Sequence, residues 1–240
     1  MENMNLAIFD IDGTLTQTND VDTVCFVQAF ADTHAITEIN TNWAEYPHTT
    51  DSGISFQLFK ERFGRAPNEG ELLKFKNRFV NLLEEQRAKD SSLFAEIIGA
   101  SSMLTRLSQE SEWKVAIASG SWRECAALKL KAAGIETSEF PAAFAEDGLS
   151  REEILQAAIL KAQQTYFQSN FDKIVSIGDG LWDVRTAYNL KFPFLGVGKG
   201  ERERTLRQAG ATHVVGDFAD YGQFVRCLKE AEVPKTEGIL

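Results

Sequence analysis

The chain has 240 residues, with 25 Lys and Arg against 35 Asp and Glu, a formal net charge of −10 and a pI near 4.9. Apolar residues make up 43%, too many for a disordered chain and enough for one sizeable core plus a smaller second unit. The acidic balance argues against a protein that coats nucleic-acid duplexes, which needs clustered Lys and Arg. It does not exclude a small anionic substrate, because local charge can oppose the global sign.

The N-terminal stretch MENMNLAIFDIDG lacks the basic region and apolar core of a secretory leader, and no apolar run approaches the ~20 residues that span a bilayer. A cytoplasmic protein with no membrane partner is the expectation. Cys25, Cys125 and Cys227 are too far apart for a zinc ribbon and read as small core residues in a reducing compartment. His34, His48 and His213 are equally scattered, which argues against a histidine-rich metal centre.

In chain order, Leu6–Phe9 is a short apolar run ending at Asp10, the pattern of a buried strand. Residues 16–88 then carry helical periodicity without a convincing strand. Val21, Val24, Cys25 and Ala29 recur at helical spacing, as do Leu72, Phe75, Phe79, Leu82 and Leu83. Asn68 followed by Glu71 has the form of a capping box. Between them Tyr46–Gly53 has loop composition. An insert this long is more than a connection, and it predicts a separate helical unit.

Beyond it, strands are expected at Trp113–Ala118, Lys173–Ile177, Phe194–Val197 and Thr212–Val215. Helical segments such as Trp122–Ala133, Glu152–Gln164 and Arg202–Gln208 separate them. Alternating strands and helices predict an α/β fold with a mostly parallel, Rossmann-like sheet, built from residues 1–15 and 89–240, with 16–88 as the helical insert.

In such sheets ligands bind beyond the carboxyl ends of strands. Three expected strand ends carry polar groups there. In Asp10-Ile11-Asp12-Gly13-Thr14, alternation lets Asp10 and Asp12 share a side, and Gly13 permits a turn that exposes amides. Ser119-Gly120-Ser121 offers a hydroxyl and free amides ahead of a helix, an anion site or a plain N-cap. Asp179 follows Gly178, and Asp183 lies where it either caps the next helix or joins the other acids. Converging carboxylates repel unless a cation sits among them, and hard oxygen donors without His or Cys select Mg²⁺. Arg151, just ahead of a helix, is either a surface residue or a counter-charge for phosphate.

Together these segments resemble the haloacid dehalogenase superfamily. FDIDGTLT at residues 9–16 is similar to its first motif, Ser119 to its second, Arg151 to its third (with Lys161 as the alternative) and GDGLWD at residues 178–183 to its fourth. A helical insert between the first and second motifs resembles the cap of the phosphoglycolate phosphatase and β-phosphoglucomutase branch. The loop holding His48, Thr49, Thr50 and Asp51 is then either the substrate-facing cap loop or simple exposed loop.

The resemblance implies a Mg²⁺-dependent phosphatase acting on a small phosphorylated metabolite, phosphoglycolate-like or a sugar phosphate. Asp10 would be the nucleophile and Asp12 the acid and base. Asp10, the Asp12 carbonyl, Asp179 and Asp183 would hold the metal. Gly13, Thr14, Ser119, Gly120 and Arg151 would hold the phosphate. A phosphomutase would need a second phosphate site in the insert, for which Lys60, Arg62 and Arg65 are candidates. A phosphoacceptor module and a non-catalytic binding protein are the alternatives from other classes.

Overall fold

The computed structural model describes residues 4–235. Strand β1 (Asn5–Phe9) is followed by helices α1 (Asn19–His34), α2 (Asp51–Phe63) and α3 (Glu69–Lys89). Then come α4 (Ala100–Ser108), β2 (Trp113–Ala118), α5 (Arg123–Ala132), β3 (Ala142–Ala143) and α6 (Arg151–Thr165). The chain continues through β4 (Lys173–Gly178), α7 (Leu181–Leu190), β5 (Phe194–Val197), α8 (Glu201–Gln208), β6 (His213–Val215) and α9 (Tyr221–Glu230). The six strands form one sheet in the order β3-β2-β1-β4-β5-β6, every pair parallel. The α/β fold class is the one expected.

Both faces of the sheet are covered, which is why its strands read as continuous apolar runs rather than alternating ones. Ala7 and Phe9 pack on one face with Leu104 and Phe224, while Leu6 and Ile8 pack on the other with Ile154 and Ala158 of α6. From β1 the chain first adds strands on one side, then returns to add β4 on the other. The crevice at that reversal, outside the carboxyl ends of β1 and β4, is where such sheets take ligands. Strand β3, two residues long, gives no signal in the sequence. The Tyr46–Gly53 loop reading needs correction. Asp51 opens α2, because Thr50 accepts from the Gly53 amide and caps the helix. Arg151 likewise begins α6 rather than preceding it, behind an N-cap at Ser150.

The helices inserted after β1 have their own core, rich in phenylalanine. Phe26 meets Phe75 and Phe79 edge-on at 5.1 and 5.5 Å between ring centroids, and α3 starts with the expected Asn68/Glu71 capping box. Each fully buried Phe contributes about 2–3 kcal/mol. Four members, Phe94, Trp122, Cys125 and Ala145, come from the other unit. Trp122, at the N-cap of α5, is buried against Phe75 at 5.6 Å, and its Nε1 donates to Ser52 Oγ at 2.9 Å. This indole ties the inserted helices to the sheet. Trp122→Phe keeps the ring contact but removes the hydrogen bond, and should cost about 1–3 kcal/mol in urea unfolding with an unchanged m-value.

Candidate active site

Asp10 follows β1 directly, and Ile11 then accepts the amides of Thr14, Leu15 and Thr16, so the chain wraps tightly around one carbonyl. Gly13 sits at φ 76°, and a Cβ there would lie 2.0 Å from Asp179 Oδ2, so only glycine fits. Asp179 follows β4. Asp183 lies in the first turn of α7, where its Oδ2 accepts from the Gly180 amide at 3.0 Å. Its Oδ1 remains for the site, so the two roles foreseen for Asp183 coexist.

Carboxylate oxygens of Asp10, Asp179 and Asp183, all buried, lie within 4.8 Å of one another. Arg151 Nη1 donates to Asp10 Oδ1 and Asp183 Oδ1, both at 3.1 Å, and Arg202 Nη1 is 2.9 Å from Asp179 Oδ2. Two guanidinium groups thus face three acids, leaving an excess of negative charge. Burial pushes Asp179 up to about 7 despite Arg202, and raises Asp10 and Asp183 despite Arg151. Asp179 Oδ1 is buried with no hydrogen-bond partner among the described residues. An orphaned carboxylate oxygen within a set of hard oxygen donors fits a divalent cation such as Mg²⁺.

The Asp12 carboxylate is not part of this trio, contrary to the idea that all four acids converge. Only its backbone carbonyl is left for a metal role, because its side chain is engaged elsewhere. Thr18 Oγ1 donates to Oδ1, while Ser121 Oγ at 3.0 Å and Lys129 Nζ at 2.6 Å donate to Oδ2. Burial works to raise the Asp12 pKa, but Lys129 and these hydrogen bonds outweigh it and hold the carboxyl below its usual range.

Lys129 was not foreseen. Its side chain is fully buried, and its ammonium spends all three protons, on Asp12 Oδ2, Asp22 Oδ1 at 2.7 Å and Ser121 Oγ at 2.8 Å. A signal for it exists. Trp122, Cys125, Ala126, Lys129 and Leu130 recur at helical spacing, so Lys129 interrupts the apolar stripe of α5. A lysine on such a stripe is either at the edge of the core or paired within it. Arg202 and Asn19, whose Nδ2 donates to Asp179 Oδ2 at 2.8 Å, carried no comparable signal.

Ser119 ends β2, and its Oγ accepts from the Ser121 amide at 3.2 Å. A Cβ on Gly120 would sit 2.8 Å from Thr49 O and 2.9 Å from Arg151 Nε, so the glycine admits both the loop and the guanidinium. Thr14 Oγ1 is buried without a partner among the described residues. Lys161 is elsewhere, bonded to Asp147 and Ala142 O, so of these two alternatives Arg151 is the one that meets the site acids.

The inserted helices close over this end of the sheet. Arg151 Nε donates to Thr49 O at 2.9 Å, the Asp51 amide donates to Gly120 O at 2.7 Å, and Asp51 Oδ2 accepts from the Trp122 amide at 2.8 Å. Between the two units lies a cavity of about 550 Å³ that Thr49, Thr50 and Asp51 help to line. His48 does not reach it. It is exposed and borders a separate crevice of about 20 Å³ beside Arg185. Lys60, Arg62 and Arg65 do not line the cavity either, and Arg65 pairs with Glu71 on the surface.

A family model for haloacid dehalogenase-like hydrolases matches residues 4–190. The chain belongs to this family. The hydrolase also resembles many solved structures. One is a hydrolase from Pseudomonas syringae, 21% identical over 93% of this chain and 97% of that one, with a TM-score of 0.69. CbbY from Rhodobacter sphaeroides in complex with xylulose-(1,5)-bisphosphate is 17% identical over 91% of this chain and 96% of that one, with a TM-score of 0.67. A phosphonoacetaldehyde hydrolase-like protein from Oleispira antarctica is 18% identical, covers 95% of each chain and gives a TM-score of 0.64. At these identities the likeness establishes the shared fold. No curated protein matches the sequence. No helix among the described residues is long and apolar enough to cross a membrane.

Proposed function

We propose that this hydrolase is a Mg²⁺-dependent phosphatase of small phosphate monoesters, with residues 16–88 acting as a cap over the site. The observation that carries the reading is the buried trio Asp10, Asp179 and Asp183 with an excess of negative charge, an orphaned Asp179 oxygen and Arg151 at its centre. Asp10, Asp179, Asp183 and the Asp12 carbonyl would hold Mg²⁺, which screens repulsion between the attacking carboxylate and a phosphate dianion. Asp10, at the carboxyl end of the central strand β1 and within reach of the Arg151 guanidinium, is the nucleophile that takes the phosphoryl group as an aspartyl-phosphate. Arg151, Ser119 and the Gly120 amide receive the transferring oxygens, whereas the Gly13 and Thr14 amides are committed to Thr16 O and Ile11 O.

Asp12 serves as base toward the water of the second step, and its ionised form suits that role. In the first step it must carry a proton to the leaving oxygen. The incoming phosphate supplies the reason it can, because added negative charge beside Asp12 raises its proton affinity. The phosphomutase alternative finds less support, because the basic residues of the insert lie off the cavity.

Release of phosphate from p-nitrophenyl phosphate that requires Mg²⁺ tests the reading. No turnover of that ester or of other phosphate monoesters with any divalent metal would remove it.

Metal binding should also be visible in stability. A carboxyl whose folded pKa lies above its unfolded value favours the fold below the unfolded pKa, and that contribution is lost as pH rises through the folded value. For Asp179 this loss extends to about pH 7, so the metal-free protein should lose stability from roughly pH 4 to neutrality. Mg²⁺ should reverse the trend, raising Tm by roughly 5–10 °C at about a hundredfold excess over Kd, and by more at about pH 8 than at about pH 5. Thermal melts with and without EDTA at the two pH values measure this.

A further inference from the structure

We infer that the cap end of the cavity selects phosphate monoesters whose alcohol carries an ammonium group, and rejects those carrying a second anion. This rests on the phosphatase reading and names the substrate class of the same site.

The two ends of the cavity differ in charge. Arg151 and Arg202 stand at the phosphoryl end, beside the metal-site acids. The cap contributes Asp20, Asp22 and Asp51 to the lining, and no lysine or arginine among the described residues. Lys129, behind Asp12, is the one cation in this group, and its three protons are committed to Asp12, Asp22 and Ser121. Asp12 and Asp22 therefore share a single positive charge, and Asp51 has no direct ion pair among the described residues.

Asp51 is the unmatched member. It is 7% exposed, its Oδ2 accepts from the Trp122 amide, and its Oδ1 has no hydrogen-bond partner among the described residues although the residue lines the cavity. Burial and the neighbouring Asp22 push its carboxyl well above the usual range, as expected of an acid lacking its counter-ion. An ammonium group would supply that charge and donate to the free oxygen. The lining also includes the buried Phe26 and the partly buried Trp43, with ring centroids 5.8 Å apart, and an aromatic wall of this kind is compatible with a bound cation. A carboxylate or second phosphate would instead meet buried acids, and like charges brought together without water are strongly disfavoured.

The test compares three two-carbon esters that differ only in the distal group: 2-aminoethyl phosphate, ethyl phosphate and 2-phosphoglycolate, each with Mg²⁺, alongside p-nitrophenyl phosphate. The expected order of kcat/KM places the amine about tenfold or more above the ethyl ester, the scale of one partly buried ion pair. The carboxylate should fall about a hundredfold or more below the amine, because repulsion replaces attraction. In Asp51→Asn the advantage of the amine over the ethyl ester should shrink to within about threefold. Should that variant fail to fold, Asp20→Asn at the exposed rim should narrow the same ratio. Equal or faster turnover of the ethyl or carboxylate ester by the native enzyme would overturn the inference. So would an amine preference that survives unchanged in the folded variants. Absence of turnover on all four esters would instead defeat the phosphatase reading, and this inference with it.

Discussion

Asp10→Asn is expected to lower kcat for p-nitrophenyl phosphate by roughly four orders of magnitude or more, the scale on which loss of a covalent nucleophile acts. The substitution is nearly isosteric, and Asn Oδ1 can still accept from Arg151. Structure and function should therefore separate. Burial raises the Asp10 pKa in the free protein, so a neutral amide removes a desolvated charge and the metal-free melting temperature should hold or rise. The Mg²⁺-induced shift should shrink, because one of three buried carboxylates is gone. Phosphate-release kinetics and melts with and without Mg²⁺ check all three outcomes. An Asn variant that keeps a tenth of native turnover would exclude Asp10 as the nucleophile.

Lys129→Met should be the most damaging single change to stability outside the hydrophobic cores. It strands Asp12 and Asp22 in a buried setting without their shared cation, and breaking a buried ion pair from one side costs about 3–5 kcal/mol. For a chain of this size that is a fall in Tm of roughly 10 °C or more. Adding Asp22→Asn should recover part of the loss, since the burden is uncompensated charge rather than lost contact. Activity should also fall, by about two to four orders of magnitude, because Asp12 would lose both its position and the charge that keeps it ionised. Urea titrations of the single and double variants measure the first effect and kcat the second. A double variant no more stable than Lys129→Met alone would show that Lys129 acts through packing instead.

The legible and illegible parts of this molecule divide along physical lines. Strands β1, β2, β4, β5 and β6 were recognisable because both sheet faces are covered, which forces short apolar runs with polar or glycine ends. The Asn68/Glu71 box was recognisable because a helix N-terminus must satisfy its free amides locally. Strand β3 was not, since two residues at a sheet edge carry no periodicity. The start of α2 was hidden because Thr50, Asp51, Ser52 and Gly53 suit a loop as well as a helix cap.

At the site, the strand-end positions of Asp10, Ser119 and Asp179 follow from local sequence: a run of apolar residues ends where the chain must meet water or ligand. The sequence alone therefore determined the parallel α/β architecture, the helices that follow β1 and the acids at the ends of β1 and β4. The tertiary structure alone decided which charges face one another. It separated Asp12 from the Asp10–Asp179–Asp183 trio, chose Arg151 over Lys161, brought in Lys129 and Arg202, and turned His48 away from the cavity that Asp51 enters. The physical reason is that backbone geometry and hydrophobic pattern act over a few residues and are written locally. Ion pairing acts across space between side chains more than a hundred positions apart, as Lys129 and Asp12 are, and exists only once the chain has folded.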